Sequence, residues 1–316
     1  MSRIARLTCV VMVLVVALAA SACWAQEGVT LALKFAPGET QEYDVSFSGS
    51  GGLRAPDGQM AAMGVRGTCG LTVKVLEVRP DGSARLTLQV PRIEAQATVG
   101  DQQARFSFAN GQMRWYSNGK EQTPPEAAQL SQAPMLGVPL EVVASPRGQI
   151  LDVVLPNLQN LAGLQQMVPG LGTPNLSNLG KPIFPEGPVA VGTSWRDSVT
   201  MTPLGPTMPV WVVNSHTLDS YTDTGGMGLA KISGHSEATF RMNPMNVGPA
   251  ESQVTVSVPD MKYMVTSTEF FNATEGRLVR GDYTSSFMSS VSFAAGEQGS
   301  QQAGLEARFS ATVQGR

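Results

Sequence analysis

Soft sulfur ligands are the first chemistry this sequence offers. Of its 15 methionines, Met1 and Met12 lie in the first 25 residues, and three pairs among the rest have Met-x-x-Met spacing: Met60/Met63, Met242/Met245 and Met261/Met264. Thioethers suit Cu(I). Two of those pairs share the C-terminal half with the two histidines, His216 and His235. A copper site would therefore be built from Met242, Met245, Met261, Met264 and His235. Methionine is also a common filler of irregular cores, and residues i and i+3 of a strand face opposite sides. Packing is the preferred reading, and no metal or cofactor is expected.

Nucleophilic catalysis needs a nucleophile, a base and an orienting acid in one place. The chain has no G-x-S-x-G, H-E-x-x-H, Walker or G-x-G-x-x-G pattern. His216 and His235 both fall in expected strands and read as exposed or satisfied strand residues. Cys69 reads as a small buried apolar side chain, as unpaired cysteines generally are. The expectation is a protein without a catalytic site.

The beginning of the chain is more informative. Arg3 and Arg6 precede the apolar run Leu7 to Ala20, broken only by Thr8 and Cys9. That run is short for a helix spanning a bilayer, which needs ~20 residues, and suits a secretory signal. Cys23 and Ala25 stand where signal peptidase requires small residues, so residues 1–25 read as a signal peptide. Ala20-Ser21-Ala22-Cys23 also has the shape of a lipoprotein box, which makes Cys23 the lipidation candidate. The location expected is the envelope: periplasmic, secreted, or anchored through that lipid.

Two of the 22 basic residues, Arg3 and Arg6, belong to the leader, leaving 20 against 25 acidic and a net charge of −5. A weakly acidic chain without basic runs argues against nucleic acid and against electrostatic docking on anionic lipid. With charged residues at 15% and abundant Gly and Pro, the composition fits short strands joined by turns.

Period-2 alternation dominates. Leu71 to Val78 and Ser83 to Val90 flank Pro80-Asp81-Gly82, a hairpin signal, and the slip at Val75-Leu76 predicts a bulge. Further hairpins turn at Ala109-Asn110-Gly111 and Ser145-Pro146-Arg147-Gly148. Thr123-Pro124-Pro125-Glu126 has capping-box form and predicts a two-turn helix. Leu155, Leu158, Leu161, Leu164 and Met167 predict a second short helix over 156–168. Strands resume at Ser194, with a loop expected from Met242 to Glu251. The expected fold is all-β and mainly antiparallel: two tandem curved meander or half-barrel units, 26–154 and 188–316, joined by a Leu/Pro/Gly-rich linker with a short helix over 155–187. Trp115, Tyr116, Trp195 and Trp211 read as sheet-core or sheet-end anchors.

The two units open alike. Phe35-Ala36-Pro37-Gly38 leads to Tyr43, and Val189-Ala190-Val191-Gly192 leads to Trp195. Phe108 to Met113 likewise matches Phe271 to Leu278 in outline, which suggests a duplicated β-unit. Leu33 to Glu39 with Tyr43, Phe184 to Trp195, and Phe271 to Val279 with Gly276-Arg277-Leu278 resemble segments of a group of exported bacterial β-rich proteins of no known activity. In that group a signal or lipoprotein leader precedes two similar halves. The resemblance implies architecture and location, and brings no site.

Curved antiparallel sheets wrap around ligands. A non-catalytic envelope protein that binds a lipid or other apolar ligand is the first functional expectation. A structural or protein-interaction module of the envelope, with a protein partner, is the alternative, and Met-based copper binding comes third.

Overall fold

The computed structural model describes residues 28–54, 60–123, 139–154, 182–201, 210–247, 254–295 and 300–316. The expected signal peptide with Cys23 and the two expected short helices lie outside the described residues. The strands of the first half are β1 (Thr40–Arg54), β2 (Met60–Val78), β3 (Ala84–Val99), β4 (Gln102–Ala109), β5 (Gln112–Ser117), β6 (Lys120–Gln122), β7 (Leu140–Ala144) and β8 (Ile150–Val154). Those of the second half are β9 (Ser194–Met201), β10 (Val210–Thr224), β11 (Met227–Val247), β12 (Val254–Asn272), β13 (Arg277–Ala295) and β14 (Ser300–Gly315).

The fold is all-β and antiparallel. The strand order is β6-β5-β4-β3-β2-β1-β14-β13-β12-β11-β10-β9, with β7 and β8 branching from β3. The halves do not form separate sheets. β1 pairs with β14 from Tyr43↔Gly315 to Arg54↔Gly304, which makes one continuous surface. On the polar face of this joint, Asp44 accepts bonds from Arg316 at 2.7 Å and from Arg92 at 2.5 Å. The fork lies within β3: Ala84–Leu88 pair with β7, and Arg92–Val99 pair with β4. Pro91 sits at the fork, where the β2–β3 register shifts and a residue without an N–H costs no ladder bond.

Turn chemistry sets the hairpins. Asp81 Oδ1 accepts the Ser83 N–H at 3.0 Å, and Gly82 takes φ +80°. Asn110 and Gly111 both take positive φ, 53° and 74°, the two-residue geometry that matches strand twist. The register shift at Val75/Glu77 is the bulge that the slipped alternation predicts. One expectation is overturned. Met242 to Glu251 is not all loop, because β11 continues to Val247 against β12. Two register irregularities, at Phe240/Met242 and Met242/Met245, break the alternation and hide the strand in the sequence.

The faces sort cleanly. One register row crosses the sheet through Trp195, His216, Gly234, Ser267, Tyr283 and Ala311, then Phe47, Gly67, Ala95, Phe106 and Trp115. The adjacent row, on the opposite face, reads Arg196, Ser215, His235, Thr266, Thr284 and Ser310, then Ser48, Arg66, Gln96, Arg105 and Tyr116. Because side chains alternate strictly, a one-residue slip anywhere would exchange these faces, so burial of the first fixes the register. On that inner face large residues sit beside small ones. A Cβ on Gly67 would stand 2.6 Å from Cζ of Phe47, and one on Gly49 would fall on the Phe309 ring. Glycine is needed at both positions to let the neighbouring ring lie flat.

The sheet is rolled with this face inward. From β7 to β12 there are six strand steps, ~29 Å if the sheet were flat. One residue spans that arc: Phe184 stacks on Phe271 of β12 with ring centroids 4.8 Å apart, while its N–H donates to Arg147 O in the β7–β8 turn at 2.9 Å. A strap over 28–39 reinforces the roll. It exchanges two bonds with Val189 and donates from Leu33 to Pro146 O at 2.7 Å and from Gly38 to Val75 O at 2.9 Å. Leu31 of the strap enters a core with Leu218, Ile232 and Phe271. Four residues later Phe35 packs on a second core made by Val75, Leu86 and Val142. The result is a trough with one end plugged by the strap.

Candidate functional site

Beyond the strap the inner face is open along the joint of the halves. Phe309, above Gly49, is 44% exposed, and Val45, Phe47, Val65, Cys69 and Ile93 around it are half-buried. The alternation of β1, β2 and β14 puts these apolar groups on one side because successive strand residues alternate faces. Burial pushes the Cys69 thiol up, against the opposing charge of Arg92. Cys69 is thus a partly covered apolar wall residue.

The neighbouring stretch of this face, on β9 to β13, is more deeply buried and sets polar groups among apolar ones such as Val212, Ala238 and Val265. Asn214, His216, Ser236, Ser267, Glu269 and Ser289 are all buried there. Asp197 organises one group of them. Its Oδ1 accepts Asn214 Nδ2 at 2.5 Å, and its Oδ2 accepts the Ile183 N–H at 3.4 Å and lies 3.2 Å from His216 Nε2. The His216 contact is out of line for a hydrogen bond, so neither ring nitrogen has a hydrogen-bond partner among the described residues. Trp195 stacks against His216 at 5.6 Å, and its indole N–H donates to Ile183 O at 3.0 Å. Together Trp195 and Asp197 clamp the Ile183 peptide, next to the Phe184 that closes the roll.

A second polar group lies nearer the strap, on β12, β13 and β1. Tyr283 hydrogen-bonds Glu269, and burial followed by the charge and accepting oxygen of Glu269 push its phenol up. Burial pushes Tyr43 up to about 12, against the pull of Arg277. Its hydroxyl donates to Gln41 at 2.7 Å, and Gln41 donates to Glu39 at 3.0 Å. A phenol whose folded pKa is raised contributes stability that is complete below its unfolded value near 10 and is lost as pH rises through the folded one. Alkaline titration of tyrosinate absorbance is therefore expected to split, with Tyr43 ionising only towards pH 12 and Tyr283 later still or on unfolding. Tyr43→Phe should remove part of the late step. A single step near pH 10 with the fold intact would contradict this burial.

The Met261/Met264 pair and the two histidines each divide between the two faces of the sheet. Met261 faces inward and half-buried on β12, while Met264 is exposed on the outer face, so the pair cannot turn both sulfurs to one ion. Met242 and Met245 occupy β11 opposite Val258 and Val256. His235 is exposed on the outer face, and His216 is buried on the inner one. No group of three or more His, Cys, Asp or Glu side chains able to hold a metal occurs among the described residues. Trp115 packs on Phe106 at 6.5 Å as a sheet anchor. Trp211 does not: it stands 65% exposed at the start of β10. Sequence reasoning overlooked Asp197, Asn214, Glu269 and Tyr283. The signal for Asn214 and His216 was there, since both share parity with Val212 and Leu218.

No family model matches the chain, and no curated protein does. Among solved structures it is similar to the Pseudomonas aeruginosa protein OccK5 (OpdH), at 7% identity over 88% of this chain and 98% of that one, with a TM-score of 0.22. The outer membrane protease OmpT of Escherichia coli gives 11% identity over 90% and 97%, with a TM-score of 0.20. A putative exported protein with a YmcC-like fold from Bacteroides fragilis gives 7% over 88% and 97%, with a TM-score of 0.14. At such TM-scores these likenesses carry no argument about fold or function.

Proposed function

We propose that this protein works in the bacterial envelope and shelters an acyl-chain ligand in the trough. One observation carries the reading: the open stretch of inner face around Phe309, Phe47 and Val65 is apolar, while the same strands turn Ser48, Ser50, Arg66 and Arg308 to the other face. Exposed apolar surface of this kind marks a binding site. The leader over 1–25 supports export, and Cys23 is the proposed attachment point for a lipid anchor.

The test is binding of a fluorescent long-chain monoacylglycerol to the purified protein, displaced by unlabelled monoacylglycerols of increasing length. Affinity should rise by up to about 0.8 kcal/mol, roughly fourfold, per methylene buried. Val65→Asp, which sets a carboxylate against the chain, should weaken binding on the order of tenfold or more. No binding at any length sinks the proposal. The envelope-interaction reading then takes its place, and one outer-face feature favours it: Trp211 and Val213 stand 65% and 50% exposed side by side. Loss of a protein partner in Trp211→Ser would identify that role.

A further inference from the structure

The trough has two unlike walls, and their chemistry selects among ligands that carry an acyl chain. Four register rows cross the inner face, starting on β10 from Val212, Asn214, His216 and Leu218. Followed from β9 to β5, they contain no lysine or arginine. The acidic residues they do hold are Asp197 and Glu269, on β9 and β12. The cations of these strands stand on the other face: Arg66 bonds Gln96, Arg92 bonds Asp44, and Arg280 bonds Asp282. The inner face also carries neutral hydrogen-bonding groups. Asn214 Oδ1 and Ser289 Oγ are buried there without a hydrogen-bond partner among the described residues, and the half-buried Ser285 borders Phe309.

We infer that the ligand is an uncharged amphiphile with a hydroxyl-bearing head, its chain on the β14–β1–β2 wall and its head towards the serines of β12 and β13. This rests on the acyl-chain reading above and narrows it. A carboxylate or phosphate drawn from water into such a trough meets no lysine or arginine of these rows to offset its lost hydration. A glycerol or sugar hydroxyl donates and accepts equally well, and so suits an asparagine oxygen and serine hydroxyls.

The experiment uses the same fluorescent monoacylglycerol and three competitors of one chain length: a monoacylglycerol, the fatty acid at pH 8, and a lysophosphatidic acid. The monoacylglycerol is expected to displace the probe at a concentration at least tenfold below either anion. Ser285→Lys, which places a cation beside Phe309, is expected to shift the ratio of anion to neutral affinity by about tenfold in favour of the two anions. Its fold is checked by an unchanged strand-rich circular dichroism spectrum, and Ser285→Arg provides a second cation if the lysine variant fails to fold. Anions that compete as well as the neutral lipid overturn the inference and leave the acyl-chain reading standing. Failure of the probe itself to bind removes both.

Discussion

Replacing Phe271 with alanine lowers the free energy of unfolding by about 3–5 kcal/mol, the cost of emptying a large aromatic from a core that cannot collapse to fill it. Phe271 is 2% exposed and lies among Leu31, Phe184, Leu218 and Ile232, contributed by the strap, the segment before β9, and two further strands. Its neighbours are held by their own backbone bonds, so they cannot all move in. The Phe184 ring contact that spans the arc from β12 to the β7–β8 turn goes with it. Urea denaturation of the wild type and the variant measures the difference. A loss below about 1 kcal/mol would show that the strap end does not hold the roll, because burial of one phenylalanine alone is worth more than that. The variant should also bind the acyl probe less well, since the trough walls are then free to splay.

Asp197→Ala is expected to cost a similar amount, about 3–5 kcal/mol, for a different reason. The aspartate is nearly buried, with a side chain 12% exposed, and serves three groups at once: Asn214 Nδ2, the Ile183 N–H and the His216 ring. Removing one member of a buried polar cluster leaves the others desolvated without a partner, and that penalty exceeds the net worth of the bonds themselves. Asp197→Asn keeps the shape and an oxygen to accept the Ile183 N–H, so a smaller loss is expected. Equal stability of Asp197→Ala and wild type in urea would mean that the cluster is solvated and the Ile183 peptide is not clamped by it. Asp197→Ala with His216→Leu should recover part of the loss, because the second change removes the buried imidazole that the first orphans.

The sequence by itself determined the local half of this structure. Alternation decides which side chains share a face, because the period of a strand is two. That is why Ala84, Leu86 and Leu88 read correctly as one side of a strand. Pro80-Asp81-Gly82 and Asn110-Gly111 are legible as turns because glycine and asparagine accept positive φ that other residues resist.

Tertiary structure decided the rest. The pairing of β1 with β14 joins residues about 270 positions apart, and no local signal names a strand's non-sequential neighbour. The bulges that extend β11 to Val247 break the very alternation by which a strand is recognised. Asp197, Asn214, His216 and Ile183 look unremarkable along the chain. They meet because β9 lies in register beside β10 and the segment before β9 folds back beneath them. The unlike walls of the trough are also invisible residue by residue. Serines on β12 and β13 and apolar residues on β1 and β2 each look like ordinary strand faces until the pairing of β13 with β14 and of β14 with β1 sets them on one continuous inner face.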